Sequence, residues 1–335
     1  MRAYLLKKHG GPDSLSISEQ PEPQPGKGEV KVAISHIGIN YAEILSRRGQ
    51  YGWAPKKPYI PGMEAFGTVE AVGEGVTLKT GAKVICGAQY GAYAEKVVVP
   101  EYMAFPAMPA YADEEQAALL VNYMTAWVAL FKQARLQPYD TVLITAAAGG
   151  VGTAAVQLAK AYGCQVIGTA SKQYKLDLIK KLGADAAINY QEKDWEAQVR
   201  EASGGIDVVL ELVGGDTFNA AKNLLNPFGR IVVAGIASIK WSPLNPLSWL
   251  PALMKVPRFS LREMAKGSQG LLATHIGYLI DNPELTSGLW AELSAFVNEH
   301  QIRPQVSEVF DFEKLAEAHK YIESRKSYGK VVLKV

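Results

Sequence analysis

The stretch Tyr139–Gly163, YDTVLITAAAGGVGTAAVQLAKAYG, decides the fold. It opens with an apolar run of β-type, Thr141-Val142-Leu143-Ile144, and passes through small residues and glycines. It continues in Thr153–Ala161 with apolar residues at helical spacing. That order predicts a strand, a tight turn and the start of a helix. Gly149-Gly150-Val151-Gly152 fit the second and third positions of a dinucleotide fingerprint, with Ala147 where the first glycine normally stands. Gly149 would let the backbone approach a pyrophosphate, Gly152 would let helix and strand pack closely, and the helix N-terminus would offer free N–H groups to the phosphates. The same turn also suits a β–α connection in any α/β protein, so its surroundings must decide.

Downstream, strands and helices alternate. Gln165–Gly168, Ala186–Ile188, Asp207–Leu210 and Arg230–Ala234 read as strands with helices between them, the arrangement of a doubly wound parallel sheet. The segment 245–267 is rich in Pro, Trp and Lys and reads as an irregular excursion, and the apolar run Leu271–Ile280 finishes the sheet. Upstream, helices are predicted over Glu114–Leu120, with Asp113 as N-cap, and over Tyr123–Lys132. Before them, Glu29–Ile34, Ala65–Val72, Ala82–Ile85 and Tyr93–Val99 are short β-type runs separated by Gly and Pro, which predicts a partly closed barrel. The tail from Leu289 supplies a helix, a strand, a second helix and the closing strand Lys330–Val335, which would fold back onto the barrel.

A chain of 335 residues with 48% hydrophobic content can bury a large core and form two domains. The formal net charge of +2 gives no basic field, so neither nucleic acid nor an anionic membrane is expected as the main partner. Two cysteines, Cys86 and Cys164, are too few for a disulfide framework and suit a reducing, cytoplasmic setting. The N-terminal residues turn polar after a few positions, unlike a secretory signal, and no apolar tract reads as a transmembrane segment.

The second strand is followed by Ser171-Lys172-Gln173-Tyr174-Lys175, where an NAD-binding protein would place an acid for the ribose 2′-hydroxyl. A hydroxyl and two ammonium groups favour a 2′-phosphate instead, so NADPH is expected over NADH, unless both lysines are simply solvated residues at a helix start. The nearest acid, Asp177, sits a turn into the helix.

With these elements in place, the chain resembles the medium-chain dehydrogenase/reductase superfamily, in its zinc-free quinone oxidoreductase (zeta-crystallin-like) branch. The residues that carry the resemblance are Gly38-Ile39-Asn40, Pro61-Gly62-Met63-Glu64, Ala146–Gly152 and Gly329-Lys330-Val331-Val332-Leu333. Leu120–Ala126, His275–Ser287 and Phe312–Leu333 look closest to vesicle amine transport protein-like members of the branch. The resemblance runs nearly end to end. It implies a GroES-like partly open β-barrel catalytic domain, residues 1–121 and 279–335, and a Rossmann NADPH-binding domain, residues 122–278, with the cofactor in the cleft. It also implies a homodimer joined through the last strand of the nucleotide-binding sheet. By position, Gly149, Gly150, Val151 and Gly152 would hold the pyrophosphate, while Ser171, Lys175 and Tyr190 would surround the 2′-phosphate and adenosine. Arg325 matches a further cofactor-side position. Asn40, Tyr51 and Thr125 would line the nicotinamide end, and Gly235-Ile236-Ala237 would follow a strand end onto the same ring. Two departures stand out: Ser171 replaces a frequent glycine, and Leu45 stands where some bacterial quinone reductases place a pocket tyrosine. The second puts the quinone preference in doubt.

Zinc alcohol dehydrogenases of this superfamily place a Cys where Asn40 stands and a His before the glutamate where this chain has Met63-Glu64. A catalytic zinc needs three protein ligands and a structural one four, and the sequence offers no such cluster, so no metal is expected. Reduction by a dihydronicotinamide needs no protein nucleophile. Asn40 would hydrogen-bond a substrate carbonyl or the carboxamide, and Tyr51 would either donate a proton or pack on a flat ring. His36 and Cys164 read as structural. Trp53, Trp241 and Trp249 would roof a hydrophobic cleft or form a contact surface. The function expected is zinc-independent, NADPH-dependent hydride transfer to a quinone or an α,β-unsaturated carbonyl acceptor. The alternatives are an NADPH-binding sensor with little turnover and an enoyl-thioester reductase.

Overall fold

A computed structural model describes residues 1–235 and 260–335. The chain divides into two compact units. One comprises Met1–Asn122, Gly277–Phe296 and Arg303–Val335, the other Tyr123–Ile276 and Val297–Ile302. Ile236, Ala237, Trp241 and Trp249, singled out in the sequence, lie outside the described residues.

The first unit begins with a hairpin of β1 (Arg2–Leu6) and β2 (Leu15–Glu19). The long β3 (Glu29–Ile39) runs directly into helix α1 (Tyr41–Arg47). Then come β4 (Glu64–Val72), β5 (Lys83–Gly87), β6 (Lys96–Pro100), β7 (Ala104–Pro106) and the short helix α2 (Asp113–Gln116). Tyr93, expected within β6, lies outside it: its N–H bonds Pro61 and its carbonyl accepts from Tyr4, so the backbone is already engaged before the ladder starts. Asp113 is not the N-cap of α2. Ala112 occupies that position, and the Glu115 side chain caps its N–H at 2.8 Å. The predicted helix through Leu120 is cut short because the Gln116 amide turns back onto both backbone groups of Met108. Helix α3 (Leu120–Trp127) follows and widens into a π-helical turn, Val128–Gln133, over which Trp127 and Phe131 stack at 4.1 Å.

The second unit is built on a six-stranded parallel sheet. Its elements are β8 (Thr141–Ile144), α4 (Gly150–Ala161), β9 (Gln165–Ala170), α5 (Gln173–Lys181), β10 (Ala186–Asn189), α6 (Trp195–Ser203), β11 (Ile206–Glu211), α7 (Asp216–Asn223), β12 (Leu225–Val233), α8 (Leu261–Gly267) and β13 (Gly270–Ala273). The strand order is β10-β9-β8-β11-β12-β13, every pair parallel, so the order reverses between β8 and β11. All four residues of β8 are buried, as a central strand covered on both faces requires. β12 starts five residues earlier than its sequence pattern suggests. A register shift opposite Ile206–Val208 accommodates Pro227-Phe228-Gly229, and these interrupt the apolar run. β13 ends at Ala273, well short of the predicted Ile280.

Helix α9 (Pro283–Glu299), β14 (Val306–Asp311), helix α10 (Leu315–Glu323) and β15 (Lys330–Lys334) complete the chain. In the first unit β14 and β15 join β3, β4, β5 and β7 in one sheet, with β6 also on β3. Its core, which includes Val32, Ile37, Val84, Phe312 and Leu333, is formed from both ends of the chain.

Candidate functional site

At the end of β8 the chain turns through Ala146, whose φ of +47° lies in the left-handed region. The conformation expected of a first glycine is therefore carried by an alanine next to Ala147, at the cost of some backbone strain. Gly152, in the first turn of α4, has no room for a side chain: a Cβ there would stand 2.4 Å from the Ala146 carbonyl oxygen and 2.7 Å from Ala147 Cα. This is the close helix–strand approach anticipated for the last fingerprint glycine. Gly149 is the N-cap, with an ordinary φ of −76° and its nearest foreign atom at 3.3 Å. Gly150 and Val151 form the first turn of the helix, so their N–H groups are among those without a partner inside the helix.

Ser171 follows β9 directly, Lys175 lies in the first turn of α5, and Tyr190 follows β10. The Tyr190 N–H bonds the Ala170 carbonyl at 3.2 Å, which ties the ends of β9 and β10 together. The structure thus brings these three residues to one corner of the sheet. Asp177 is exposed and accepts a hydrogen bond from Gln173 at 2.8 Å. Gly235 follows β12 and passes so close to Leu212 that a Cβ would lie 2.9 Å from its carbonyl oxygen. Thr125 lies in α3 and is half-buried. Glu211, fully buried at the end of β11, accepts from the Val213 and Gly214 N–H groups, and burial raises its pKa.

In the first unit Asn40 is the N-cap of α1 and is buried. Its amide is engaged at both ends: Oδ1 accepts from Lys330 Nζ at 2.6 Å, and Nδ2 donates to Glu64 Oε1 at 3.1 Å. Lys330 also pairs with Glu64, and both are almost wholly buried. Gly38 is what makes this crossing possible, because a Cβ would meet Lys330 Cε at 2.7 Å and Glu64 Cγ at 2.9 Å.

Beside this group lies Glu43, three positions after the N-cap, whose carboxylate accepts from the Asn40 N–H at 2.8 Å and the Met63 N–H at 2.7 Å. The Tyr93 hydroxyl donates to Glu43, and His319 Nε2 lies 3.2 Å from the same hydroxyl. Burial pushes the Glu43 carboxyl up to about 7, against the opposing pull of those donors and of Lys330. Burial, with Arg47 and Arg48 nearby, drives His319 down to about 3, so its imidazole is neutral.

Glu43 lines a small, partly open recess of about 10 Å³, roughly the room of one water, together with Tyr51, Trp53, Tyr59, Met63 and Tyr90. The rings of Tyr51 and Trp53 lie 5.7 Å apart, and burial raises the pKa of the Tyr51 phenol. Arg325 is exposed just after α10, with φ +59°. His36 is buried, with Nδ1 3.1 Å from Ser35 Oγ, and Cys164 donates to the Gln137 carbonyl.

Sequence reasoning did not single out Glu43, Tyr93, His319 or the role of Lys330. The spacing Asn40-x-x-Glu43 is the capping-box pattern and could have located α1 and its buried acid. Lys330 carries a weaker signal, a cation opening the closing strand ahead of the apolar Val331-Val332-Leu333.

Residues 26–110 match the alcohol dehydrogenase GroES-like domain family, and residues 150–263 match the zinc-binding dehydrogenase family. The chain is 37% identical to the synaptic vesicle membrane protein VAT-1 homolog of Homo sapiens, across 99% of this chain and 86% of that protein. It is 30% identical to quinone oxidoreductase of Rattus norvegicus, across 99% of this chain and 97% of that one. Among solved structures, Escherichia coli quinone oxidoreductase complexed with NADPH superposes with a TM-score of 0.88 at 29% identity, covering 100% of both chains.

Proposed function

Because the chain belongs to the medium-chain dehydrogenase/reductase superfamily, beside VAT-1 homologs and quinone oxidoreductases, we propose that it is a zinc-independent reductase. On this reading it uses NADPH to reduce a quinone or an α,β-unsaturated carbonyl compound. The observation that carries the reading is the corner formed by Ser171, Lys175 and Tyr190, where the stretch Ser171–Lys175 offers a hydroxyl and cations but no carboxylate. A 2′-phosphate finds its counter-charge there. Gly149, Gly150, Val151 and Gly152 would hold the pyrophosphate at the start of α4, and Gly235, with Ile236 and Ala237 beyond the described residues, would follow onto the nicotinamide. Arg325 is assigned a further cofactor-side position from the family pattern. The bound cofactor would supply the hydride.

The remaining roles fall to the chain's own side chains. Tyr51 and Trp53, whose rings lie 5.7 Å apart, would offer aromatic surface to a flat acceptor. Asn40 has both ends of its amide engaged by Lys330 and Glu64, so it would act by holding those groups rather than by binding the acceptor. Thr125 would offer its hydroxyl at the nicotinamide end.

On this reading zinc takes no part in the reaction. Lys330 already places a cation against Asn40 and Glu64, and among the described residues no group of three or more His, Cys, Asp or Glu is arranged to hold a metal. The outer edge of β13, the last strand of its sheet, is the surface through which a homodimer would form.

Following NADPH absorbance with a panel of quinones and enones, beside NADH and with a chelator, tests the reading. Rapid, chelator-insensitive oxidation that favours NADPH is expected. Tight NADPH binding without turnover on any acceptor would replace it with a sensing role.

A further inference from the structure

We propose that Glu211 is a positioning residue for NADPH, holding residues 212–215 in place as the wall of the nucleotide crevice opposite the glycine turn. The inference rests on the NADPH-binding reading above. In an open parallel sheet a ligand binds outside the carboxyl ends of the strands, at the point where their order reverses. Here that point lies between β8 and β11. The chain leaving β8 is the glycine turn and the chain leaving β11 is the stretch 212–215, so these two segments bound the crevice.

The second segment is fastened by side chains of the sheet itself. Ile144 pairs with both Gly168 and Leu210, so one residue further on Thr145, Thr169 and Glu211 form one level across three neighbouring strands, all fully buried. Thr145 Oγ1 accepts the Leu212 N–H at 2.8 Å. Glu211 Oε1 accepts the next two, from Val213 at 2.6 Å and Gly214 at 2.7 Å. Three consecutive N–H groups are thus held by two buried side chains. Gly214 and Gly215 then turn through the left-handed region, with φ of +78° and +61°, into α7.

The arrangement is costly. Glu211 Oε2 and Thr169 Oγ1 are buried without a hydrogen-bond partner among the described residues, and burial raises the Glu211 pKa. A buried carboxyl with one bare oxygen carries a desolvation penalty that an apolar side chain of similar size avoids. The sheet itself needs no acid at such a place, since β8 and β12 end in Ile144 and Val233. What the carboxyl supplies is a fixed path for Val213 and Gly214. Leu212 and Val213 are only half-buried, so the held segment offers apolar surface to a nucleotide.

Amide hydrogen exchange on the intact chain, with and without NADPH, and fluorescence titration test this. In the parent, exchange at residues 212–215 should slow on adding NADPH. Glu211→Met removes the acceptor at similar side-chain length. The Val213 and Gly214 amides should then exchange at least about tenfold faster, and NADPH and NADH should both bind about tenfold more weakly, the equivalent of one lost hydrogen bond. The ratio of the two affinities should hold, because the corner at Ser171 and Lys175 is untouched. Glu211→Gln, which keeps an acceptor oxygen, should restore affinity to within about threefold of the parent. Where Glu211→Met fails to fold, Thr145→Val, which releases only the Leu212 N–H, and the parent exchange measurement decide the matter. NADPH binding that leaves exchange at residues 212–215 unchanged, or Glu211→Gln that binds as weakly as Glu211→Met, overturns the assignment and leaves the nucleotide site intact. A parent that binds no NADPH overturns both.

Discussion

Lys330 Nζ lies 2.6 Å from Asn40 Oδ1, although 290 positions separate the two residues, and the same ammonium pairs with the buried carboxylate of Glu64. The closing strand is thereby locked to the residue after β3 by a hydrogen bond and to β4 by an almost wholly buried ion pair. Lys330→Met leaves Glu64 buried without its cation. It should cost about 3–5 kcal/mol of stability, the penalty of breaking rather than replacing a buried pair. Adding Glu64→Gln should recover a large part of that loss. Urea unfolding of the two variants checks it, and equal midpoints for both would show that the pair carries no such charge penalty.

The glycine turn should discriminate between its own glycines. A Cβ at Gly152 would stand 2.4 Å from a backbone carbonyl oxygen, whereas at Gly149 the nearest contact is 3.3 Å and φ is −76°. Gly152→Ala must push α4 away from the turn, so it should cost about 1–3 kcal/mol, the range for overpacking, and weaken NADPH binding. Gly149→Ala should change stability by less than about 1 kcal/mol. Thermal unfolding and a fluorescence titration with NADPH separate the two variants.

The strand–turn–helix was legible because β8 runs Val-Leu-Ile after the β-branched Thr141 and α4 repeats its apolar residues at helical spacing, both of which are local properties. The same holds for the corner at Ser171–Lys175, where a missing acid is as visible as a present one. Helix α1 was not read, because it is only seven residues long and follows β3 after a single residue, with Gly38 inside the strand as the only break. The buried polar group was beyond a local reading altogether. Tyr93 and His319 meet across 226 positions, and only the folded barrel sets Glu43 beside them. Asn40 was expected to bind the acceptor or carboxamide because the family pattern gives its place. Its two partners become visible only once β15 and β4 are laid on either side of β3.

Cofactor preference should reverse at one position. Lys175 lies in the first turn of α5, next to Ser171 and in the corner shared with Tyr190, so a carboxylate there would face the 2′-phosphate with like charge. Lys175→Glu should weaken NADPH binding by about 30-fold or more while leaving NADH binding within about threefold. Fluorescence titration with both nucleotides reads the ratio. An unchanged ratio would move the 2′-phosphate away from this corner.

Glu43 and His319 should impose opposing pH dependences on folding. Glu43 titrates at about 7 when folded against 4.5 in the reference state, so the native form binds the extra proton between those values and stability falls as pH rises through them. His319 titrates at about 3 when folded against 6.5, so the unfolded form binds the extra proton and stability rises with pH through that interval. Each slope is about 1 kcal/mol per pH unit. Where the windows overlap, from about 4.5 to about 6.5, the two cancel and the parent's contribution from this pair is flat. His319→Gln removes the rising component and uncovers the other. Relative to the parent, its stability should decline by about 1 kcal/mol per pH unit across the overlap. Chemical unfolding at a series of pH values measures the difference between the two proteins, in which all other titrations cancel. A difference that does not vary with pH would mean that His319 keeps an ordinary affinity for its proton in the folded chain.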